Sequence, residues 1–577
     1  MKTTLPVDPF DSALCIGTVI EVGPTTATAK LPHATPPEAD WRNGYRFHGG
    51  RVGDFVIVEL DDAAIFGRII EVRLSGDSAP PDEAGQHPHS QSIATIRLLS
   101  TIRLQKETIE SGISRHPSLG SRVYATEPAL IRWIAELSAE GNGANSALLM
   151  RLGSMPGAVE MAVRTAPEKL FGRHCAVIGA TGGGKSWTLA RLMEETASFP
   201  GAKVILFDAT GEFHTLGGLA RHVQIGEGEA EPAGCKTCVF PYTKLTESDL
   251  FALFRPNGPV QGPKLRQAIK SLKLARIEPS LATNSKLLMR TQRIKAPIDQ
   301  AFRTHAHVLE GVIAEFDINL LVRQIQEECV YSSGGTANSP DYARWGLYNE
   351  ADKSECTALL GRIEDTCSSA ELACLFQPAG KPSLIDEIGE FLENPEQRIL
   401  RISLKYLSFS YNAREIVADA IGRHLLVLGR NQRFRKRPVV VFLDEAHQFL
   451  NKSLGGEEAR YRLEAFDLLA KEGRKYSLSM CLATQRPSDI PEGVLSQIGT
   501  LLVHRLTNER DRHVVEQASD ELDRSAAEFL PTLAPGQAVL IGVAFPIPLT
   551  LQIAPPNAQP DSKGPRFQDQ WAHAEDE

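Results

Sequence analysis

The chain has 577 residues, a formal net charge of −9 at pH 7 and 42% hydrophobic residues, a composition typical of a soluble globular protein with about three or four structural units. No stretch reaches the roughly 18–20 continuous apolar residues of a membrane span, and the N-terminus lacks the apolar segment of a signal peptide. We therefore expect a cytoplasmic protein with no membrane contact. The acidic balance excludes a surface coated with basic residues, but it leaves room for nucleic acid in a local basic channel.

Residues 1–150 predict an N-terminal domain built as a small β-barrel. Short apolar runs at Cys15–Val22, Arg51–Leu60 and Ile65–Val72 partly alternate with polar residues, and Gly, Pro and Asp separate them. This punctuation is typical of short antiparallel strands, and several such strands in succession favour a small barrel.

The second predicted domain, residues 151–555, contains the most specific motif of the chain. Residues 179–186 fit the pattern G-x-x-x-x-G-K-[ST] at every required position. An apolar strand pattern at 174–178 precedes the motif, and a helical pattern follows from Trp187. A phosphate-binding loop requires this order of strand, loop and helix.

The residues of this loop predict binding of ATP and Mg²⁺. Backbone N–H groups can turn toward phosphates at its glycines, which are Gly179, Gly182, Gly183 and Gly184. The N-terminus of the following helix adds a field that favours anions. Lys185 is expected to reach the β- and γ-phosphates, and the Ser186 hydroxyl to ligate Mg²⁺.

A second nucleotide-binding signature lies far downstream, in Val439–Glu445. Asp444 closes an apolar strand, where a carboxylate can hold the Mg²⁺ shell. Glu445 follows directly and can polarise the attacking water as a general base. The long separation of the two motifs predicts an insertion, because a compact α/β core needs far fewer residues between them.

We place this insertion at about 245–385 and predict that it is helical. Thr246–Asp249 is a helix-start signal with an acidic first turn. Helical periodicity then recurs in three stretches, 263–295, 298–330 and 352–377. The final segment, 556–577, is polar and rich in proline, a composition that predicts disorder.

Three further side chains are candidates for the ATP site. Asp208 and Gln485 each follow a predicted strand, and ligands of parallel α/β sheets sit at the carboxyl ends of the strands. Both are expected to face the γ-phosphate or its water, with a purely structural role as the alternative. Arg474 is a candidate for a cation delivered to a neighbouring subunit's γ-phosphate, with Arg505 and Arg510 as alternatives.

Together these motifs resemble the HerA family of DNA-translocating ATPases, within the FtsK–HerA branch of P-loop ATPases. The matching stretches follow one another in the family's order and cover most of residues 170–555. They are His174–Ser186, Asp208–Phe213, Leu443–His447, Glu472–Lys475, Ala483–Pro487, Pro535–Gly542 and Pro546–Ile553.

The resemblance implies an α/β fold with a RecA-like P-loop core, an N-terminal small barrel and an inserted helical module. It also implies a homohexameric ring with duplex DNA in its central pore and ATP sites between subunits. Lys185, Ser186, Asp444 and Glu445 would act within their own subunit, and Arg474 in the neighbour's site. A nuclease or a sirtuin-like effector acting in antiviral defence is implied as the partner.

Two basic runs are candidates for DNA contact. The first could follow DNA phosphates, but it fits a solvated helix face or a protein-binding face as well. Its members are Lys264, Arg266, Lys270, Lys273, Arg276, Lys286, Arg290, Arg293 and Lys295. The second, Arg433–Arg437, fits a solvated helix end equally well.

Three hypotheses of function stay open at this point. The first is an ATP-driven DNA translocase or helicase coupled to an effector, in defence or in DNA end processing. The second is a ring-shaped scaffold that activates a partner effector, with ATP hydrolysis serving assembly. The third is a conjugation or secretion ATPase.

Overall fold

The computed structural model describes two compact units. Unit 1 comprises Met1–Phe199 and Ser479–Gln559, and unit 2 comprises Pro200–Leu478 and Pro560–Glu577. Excluded from the description are residues 1–4, 32–40, 43–44, 47–49, 75–91, 138–147, 157, 311–314, 337, 378–379, 451–452, 455–460, 519–526, 528, 546, 563–566 and 568–577. The tail predicted at 556–577 lies largely among these. None of the helices in the described part of the chain combines the length and apolar character needed to cross a bilayer.

Unit 1 begins with a closed β-barrel. The strands of this part of the chain are β1 (Cys15–Val22), β2 (Thr26–Leu31), β3 (Trp41–Arg42), β4 (Tyr45–Arg46), β5 (Phe55–Glu59), β6 (Ala63–Leu74), β7 (Ser92–Arg103), β8 (Thr108–Ser111) and β9 (Arg122–Ala125). Strands β1, β9, β5, β6, β7 and β2 pair antiparallel in that cyclic order, and the β2–β7 pairing closes the sheet on itself.

The barrel core is filled by small and β-branched residues, among them Val19, Val56, Ile69, Ile96 and Val123. Residues along most of β7 alternate between fully buried and half-buried, as expected for a strand with one face toward the core. Closure leaves the six barrel strands paired on both edges. The barrel predicted from the N-terminal punctuation is therefore confirmed.

The elements that carry the phosphate loop follow the barrel. They are α1 (Pro128–Leu137), β10 (Met150–Met155), β11 (Ala158–Thr165), α2 (Pro167–Phe171), β12 (Cys175–Ile178) and α3 (Lys185–Ala197). All four residues of β12 are buried. Such a continuously apolar strand is typical of the centre of a parallel sheet.

Unit 2 starts with β13 (Lys203–Asp208), β14 (Ala220–Ile225) and β15 (Lys236–Cys238). The helical module then contains α4 (Glu247–Phe254), α5 (Gly258–Ile277), α6 (Lys295–Thr304), α7 (Ala306–Leu309), α8 (Leu321–Glu328), β16 (Gly334–Thr336), β17 (Ser339–Asp341), α9 (Glu350–Ser368), α10 (Ala373–Phe376) and α11 (Leu384–Glu393). The unit closes with β18 (Ile399–Ser403), α12 (Ala413–Arg430), β19 (Val439–Leu443), β20 (Ser453–Leu454), β21 (Tyr461–Arg462) and α13 (Ala465–Glu472).

The predicted start of the helical module is confirmed in detail. At the N-terminus of α4 the Asp249 amide donates to Thr246 Oγ1 at 3.2 Å, and the Thr246 amide donates to Asp249 Oδ2 at 2.8 Å. This reciprocal pair is a capping box. The predicted helical stretch 263–295 is wrong beyond Ile277, because Pro279 disfavours helical backbone at the residue before it.

The last elements return to unit 1. They are β22 (Leu478–Thr484), α14 (Glu492–Leu495), β23 (Thr500–Val503), α15 (Glu509–Ala518), β24 (Gln537–Gly542) and β25 (Leu549–Ile553). Strand β12 pairs parallel with β22 on one edge and with β23 on the other. The antiparallel strands β24, β25, β10 and β11 extend the sheet beyond β23.

The sheet of unit 2 is parallel throughout, in the order β19, β13, β18, β14, β15. Each unit thus combines strands with helices. The predicted α/β class, with an N-terminal barrel and helices inserted between sheet strands, is confirmed.

Candidate nucleotide site

Strand register in unit 1 brings three chain segments to one level. Ile178 at the end of β12 lies opposite Thr484 of β22 and Val503 of β23. The next residues, Gly179, Gln485 and His504, therefore leave the sheet side by side. This is the carboxyl edge of the parallel strands, where ligands of α/β sheets bind.

The phosphate loop has the backbone geometry that its glycines predict. Gly182 and Gly184 have φ angles of 76° and 106°, a region that residues with a side chain rarely adopt. Helix α3 begins directly afterwards at Lys185, and its Thr188 amide donates to Gly184 O at 2.9 Å. Amides in the first turn of a helix have no acceptor within the helix, so they are available to an anion.

The loop also lies against residues that its motif does not mention. A Cβ atom on Gly179 would lie 2.6 Å from His504 Cβ, and one on Gly184 would lie 3.2 Å from Gly536 Cα. The Gly536 amide donates to Gly183 O at 3.3 Å. Glycine is therefore favoured at these positions for two reasons: His504 and Gly536 pack closely against the loop, and the loop backbone must approach phosphate.

His504 is the main residue at this site that sequence reasoning missed. Its Nδ1 lies 2.8 Å from Gln537 O and its Nε2 lies 2.8 Å from Thr188 Oγ1. Burial, together with the nearby charge of Lys185, lowers the pKa of His504 to about 4. The ring is therefore neutral at physiological pH.

Gln485 is held against the phosphate loop at the carboxyl edge of the sheet. The Thr181 hydroxyl, inside the loop, donates to Gln485 Oε1 at 2.5 Å. Both side chains are accessible to solvent, with Thr181 exposed and Gln485 half-buried. A ligand on the loop would therefore lie within reach of the Gln485 amide.

Unit 2 brings the acidic candidates together at the carboxyl edge of its own sheet. Leu443 of β19 lies opposite Phe207 of β13, so Asp444 and Asp208 follow two neighbouring strands. The Asp444 amide donates to Phe207 O at 3.1 Å, and the Asp444 side chain is 1% exposed.

Glu445 has an unusual backbone. Its φ of 47° and ψ of 50° place it in the left-handed region, which costs about 1 kcal/mol or more for a residue with a side chain. This turn directs the chain away from β19 immediately after the acidic pair, and His447 Nδ1 lies 3.3 Å from Glu445 Oε2. Strain of this kind concentrates at functional sites, which supports Glu445 as a site residue.

Asp208 is engaged inside unit 2. Its carboxylate accepts hydrogen bonds from Arg401 Nε at 2.6 Å, from the Gly211 amide at 2.7 Å and from the Phe213 amide at 3.1 Å. Both members of the Asp208–Arg401 pair are almost completely buried. This arrangement favours a role in shaping the 208–213 segment over direct phosphate contact.

Arg474 lies on the surface of unit 2, in a short turn after α13. Its side chain is exposed, and within the described residues no ion pair or side-chain hydrogen bond of Arg474 is found. A Cβ atom on the preceding Gly473 would lie 2.5 Å from Leu478 O. Only glycine fits there, so the close approach of the two backbones fixes where Arg474 emerges. Arg505 and Arg510 are also exposed, on unit 1.

The first basic run is partly neutralised within unit 2. Four of its nine cations pair with carboxylates elsewhere in the unit: Lys264–Asp352, Arg266–Glu247, Arg276–Glu315 and Arg290–Glu328, at 3.0, 2.6, 3.7 and 2.5 Å. Lys273 is buried and donates to Leu309 O. The hypothesis that this run follows DNA is weakened, because these five side chains are engaged within the helical module. In the second run, Arg433 pairs with Glu393 at 2.9 Å.

Comparison with known proteins shows which family the chain resembles. Residues 150–399 match the model of the central domain of the helicase HerA. A DNA double-strand break repair helicase HerA of Sulfolobus acidocaldarius is 22% identical over 91% of this chain and 93% of its own length. A probable helicase of Methanocaldococcus jannaschii is 23% identical over 87% of this chain and 86% of its own length.

The chain resembles the HerA helicase family, with the family model matching residues 150–399. It is a P-loop ATPase, as the loop of unit 1 predicts. Two solved structures resemble this chain at 15% identity over 73% of its length: VirB4 of Thermoanaerobacter pseudethanolicus, with a TM-score of 0.45, and plasmid coupling protein TrwB in complex with ADP and Mg²⁺, with 0.43. They match over 100% and 92% of their own lengths.

The buried pair of Asp208 and Arg401 gives a test of whether Asp208 shapes the fold or contacts phosphate. Asp208→Asn leaves the Arg401 charge buried without its counter-charge, which we expect to cost about 3–5 kcal/mol of stability. Thermal unfolding measures this loss, and adding Arg401→Met should recover much of it. An unchanged unfolding temperature together with lost nucleotide binding would instead assign Asp208 to the phosphates.

The depressed pKa of His504 predicts a pH dependence of stability. The pKa of His504 is about 4 in the folded chain and has its ordinary value of 6.5 in the unfolded chain. Between these two pH values the unfolded chain takes up a proton at His504 that the folded chain does not. The free energy of unfolding is therefore unaffected by this group above about pH 6.5. It falls by up to about 3 kcal/mol as the pH drops to about 4, because protons then favour the unfolded chain.

Urea unfolding at several pH values checks this sign and size. His504→Asn should lack this part of the acid destabilisation relative to the unsubstituted chain. His513→Asn, at an exposed histidine of the same unit, should retain it. Parallel pH profiles for the His504→Asn variant and the unsubstituted chain would show that His504 does not remain neutral in the fold.

Proposed function

We propose that this HerA-family chain is an ATP-driven duplex-DNA translocase or helicase that works as a cytoplasmic homohexameric ring. The observation that carries the proposal is an intact phosphate loop, with Lys185 and Ser186 opening α3, in a chain whose nearly full-length relatives are named helicases. The acidic pair after β19 supports a loop that hydrolyses ATP as well as binding it.

Each site residue has a role that fits its chemistry. Lys185 neutralises the β- and γ-phosphates, and the Gln485 amide hydrogen-bonds the γ-phosphate or its water. Ser186 and Asp444 supply oxygen donors of the kind that Mg²⁺ takes, and the metal when bound neutralises phosphate charge. Glu445 polarises the attacking water as general base.

Arg474 is proposed to act on the nucleotide of a neighbouring subunit. A cation that acts on another subunit must be exposed and must not be engaged in an ion pair within its own chain. Arg474 meets both requirements in the described residues. A ring built from repeated head-to-tail contacts would present one such arginine at every interface. Arg505 and Arg510 are exposed as well, so they stay alternatives.

The partner is proposed to be a nuclease or a sirtuin-like effector, with a role in DNA end processing or antiviral defence. The relatives named double-strand break repair helicases support DNA end processing. The scaffold hypothesis differs in what ATP hydrolysis does: there it serves assembly, and effector activation outlasts the loss of hydrolysis.

DNA stimulation of the ATPase tests the translocase. We expect duplex DNA to raise the steady-state rate of ATP hydrolysis. Glu445→Gln should lower the turnover number by about 100-fold or more while ATP still binds, since general bases typically contribute at least that factor. Lys185→Ala should abolish binding itself. Phosphate release and duplex-tracking assays measure these effects.

Glu396→Gln is a matched control, because Glu396 is an exposed glutamate of the same unit, and it should leave both rates unchanged. A ring that hydrolyses ATP equally with and without DNA and never moves along it would contradict the translocase. A Glu445→Gln ring that still activates its effector would favour the scaffold.

Complementation between inactive variants tests the trans arginine. Rings made only of Arg474→Ala or only of Lys185→Ala chains should be inactive. In equal mixtures, a Lys185→Ala chain can lend its arginine to the intact loop of an Arg474→Ala neighbour. About a quarter of the sites should then recover, since such neighbours meet at that frequency by chance.

Lys475→Ala, at the adjacent exposed lysine, serves as the control and should be active by itself. Recovery with Arg505→Ala in place of Arg474→Ala would move the role to Arg505. If no arginine variant complements Lys185→Ala in mixed rings, the sites do not share residues between subunits.

A further inference from the structure

A buried histidine lies beneath the phosphate loop, although the loop motif requires none there. His504 is fully buried where the chain leaves β23. Its amide donates to Ile178 O at 2.7 Å, on the strand that feeds the loop. The position is therefore fixed by the backbone as well as by the ring.

The two ring nitrogens have defined partners. Gln537 O, a carbonyl oxygen 2.8 Å from Nδ1, can only accept, so Nδ1 carries the hydrogen. In the neutral ring Nε2 is then an acceptor, and the Thr188 hydroxyl at 2.8 Å donates to it. The hydrogen bonds run in one direction, from Thr188 through His504 to Gln537.

These partners lie on the two sides of the loop. Thr188 is in the first turn of α3, one turn after Lys185. Gln537 begins β24, and its neighbour Gly536 donates through its amide to Gly183 O at 3.3 Å. The ring therefore ties the helix that follows the loop to the strand that supports the loop.

The ring also fills the space under the loop. Cβ atoms built on Gly179 and Gly183 would lie 2.6 and 3.5 Å from His504 Cβ, and one on Gly184 would lie 3.4 Å from Cε1. Close packing on this scale resists displacement of the loop, because interiors have little free volume. The loop is thus supported by contact as well as by hydrogen bonds.

We propose that His504 is a positioning residue that holds the phosphate loop and the first turn of α3 in the nucleotide-binding form before ATP arrives. The inference rests on the proposed function only in taking ATP as the ligand of the loop. A loop ordered in advance loses less conformational freedom on binding. The benefit appears in nucleotide affinity, whereas the chemical step depends on other residues.

Two independent variants remove the Thr188–His504 bond. His504→Leu keeps an apolar group of similar bulk without either ring nitrogen, and Thr188→Val removes the hydroxyl alone. We expect each to raise the Kd of a fluorescent ATP analogue with Mg²⁺, measured without DNA, by about tenfold, the typical effect of one buried hydrogen bond. The turnover number at saturating ATP should stay within about twofold.

The pair should also be coupled. Because both variants remove the same hydrogen bond, the double variant should weaken binding by much less than the product of the two single effects. His504→Asn, which can still donate to Gln537 O, should recover part of the affinity, and Thr188→Ser should recover most of it. A purely structural role would lower the fraction of active protein and leave the Kd of that fraction unchanged.

Two control variants match the chemistry at other places. Thr196→Val removes a buried hydroxyl from the same helix that bonds only Leu192 O, within α3. His513→Asn changes an exposed histidine. Both should keep the original Kd.

Three results would each overturn the proposal. The first is an unchanged Kd in His504→Leu, and the second is a rise in Kd in the double variant equal to the product of the single effects. The third is an equal rise in Kd in Thr188→Ser and Thr188→Val. If His504→Leu does not fold, the Thr188 variants decide alone. A chain that binds ATP with the expected pattern but shows no response to DNA leaves the His504 inference standing and contradicts the translocase.

Discussion

The close approach of two backbone segments determines the nucleotide site. The phosphate loop lies directly on the residues that end β23 and begin β24, with no space for a Cβ atom at Gly179. The parallel register of β12 with β22 and β23 brings these segments to one level. Gln485 and the first turn of α3 take their positions from the same edge. The conformation of the loop therefore depends on the sheet segments packed against it, and the residues of the motif are only part of this packing.

The sequence predicted the features whose signals are local. The loop pattern, the capping box of Thr246 and Asp249 and the punctuated barrel strands each lie within a few neighbouring residues. Glycine conformation, helix capping and strand alternation are properties of short segments, so their interpretation needs no knowledge of distant partners. The same holds for the α/β class and the inserted helices.

The features that sequence reasoning missed depend on partners far along the chain. The carboxylates that pair with four cations of the first basic run come from three different helices and a loop, and a local charge count cannot find them. Asp208 meets Arg401, nearly two hundred residues away, and His504 meets Thr188 across a still longer separation. The roles of the site residues, including Asp444, Glu445 and Arg474, stay proposals, because side-chain position alone does not give a reaction.

The division of unit 1 along the chain has a consequence for biosynthesis. Strand β12 is translated early, yet both strands that pair with it, β22 and β23, follow almost the whole of unit 2. While the ribosome makes unit 2, β12 has no native neighbour on either edge, whereas the barrel already has all six of its strands. Unpaired apolar strands are templates for wrong association. The nascent chain therefore presents this continuously apolar strand unpaired while unit 2 is made, and it completes the ATP-binding sheet only near the end.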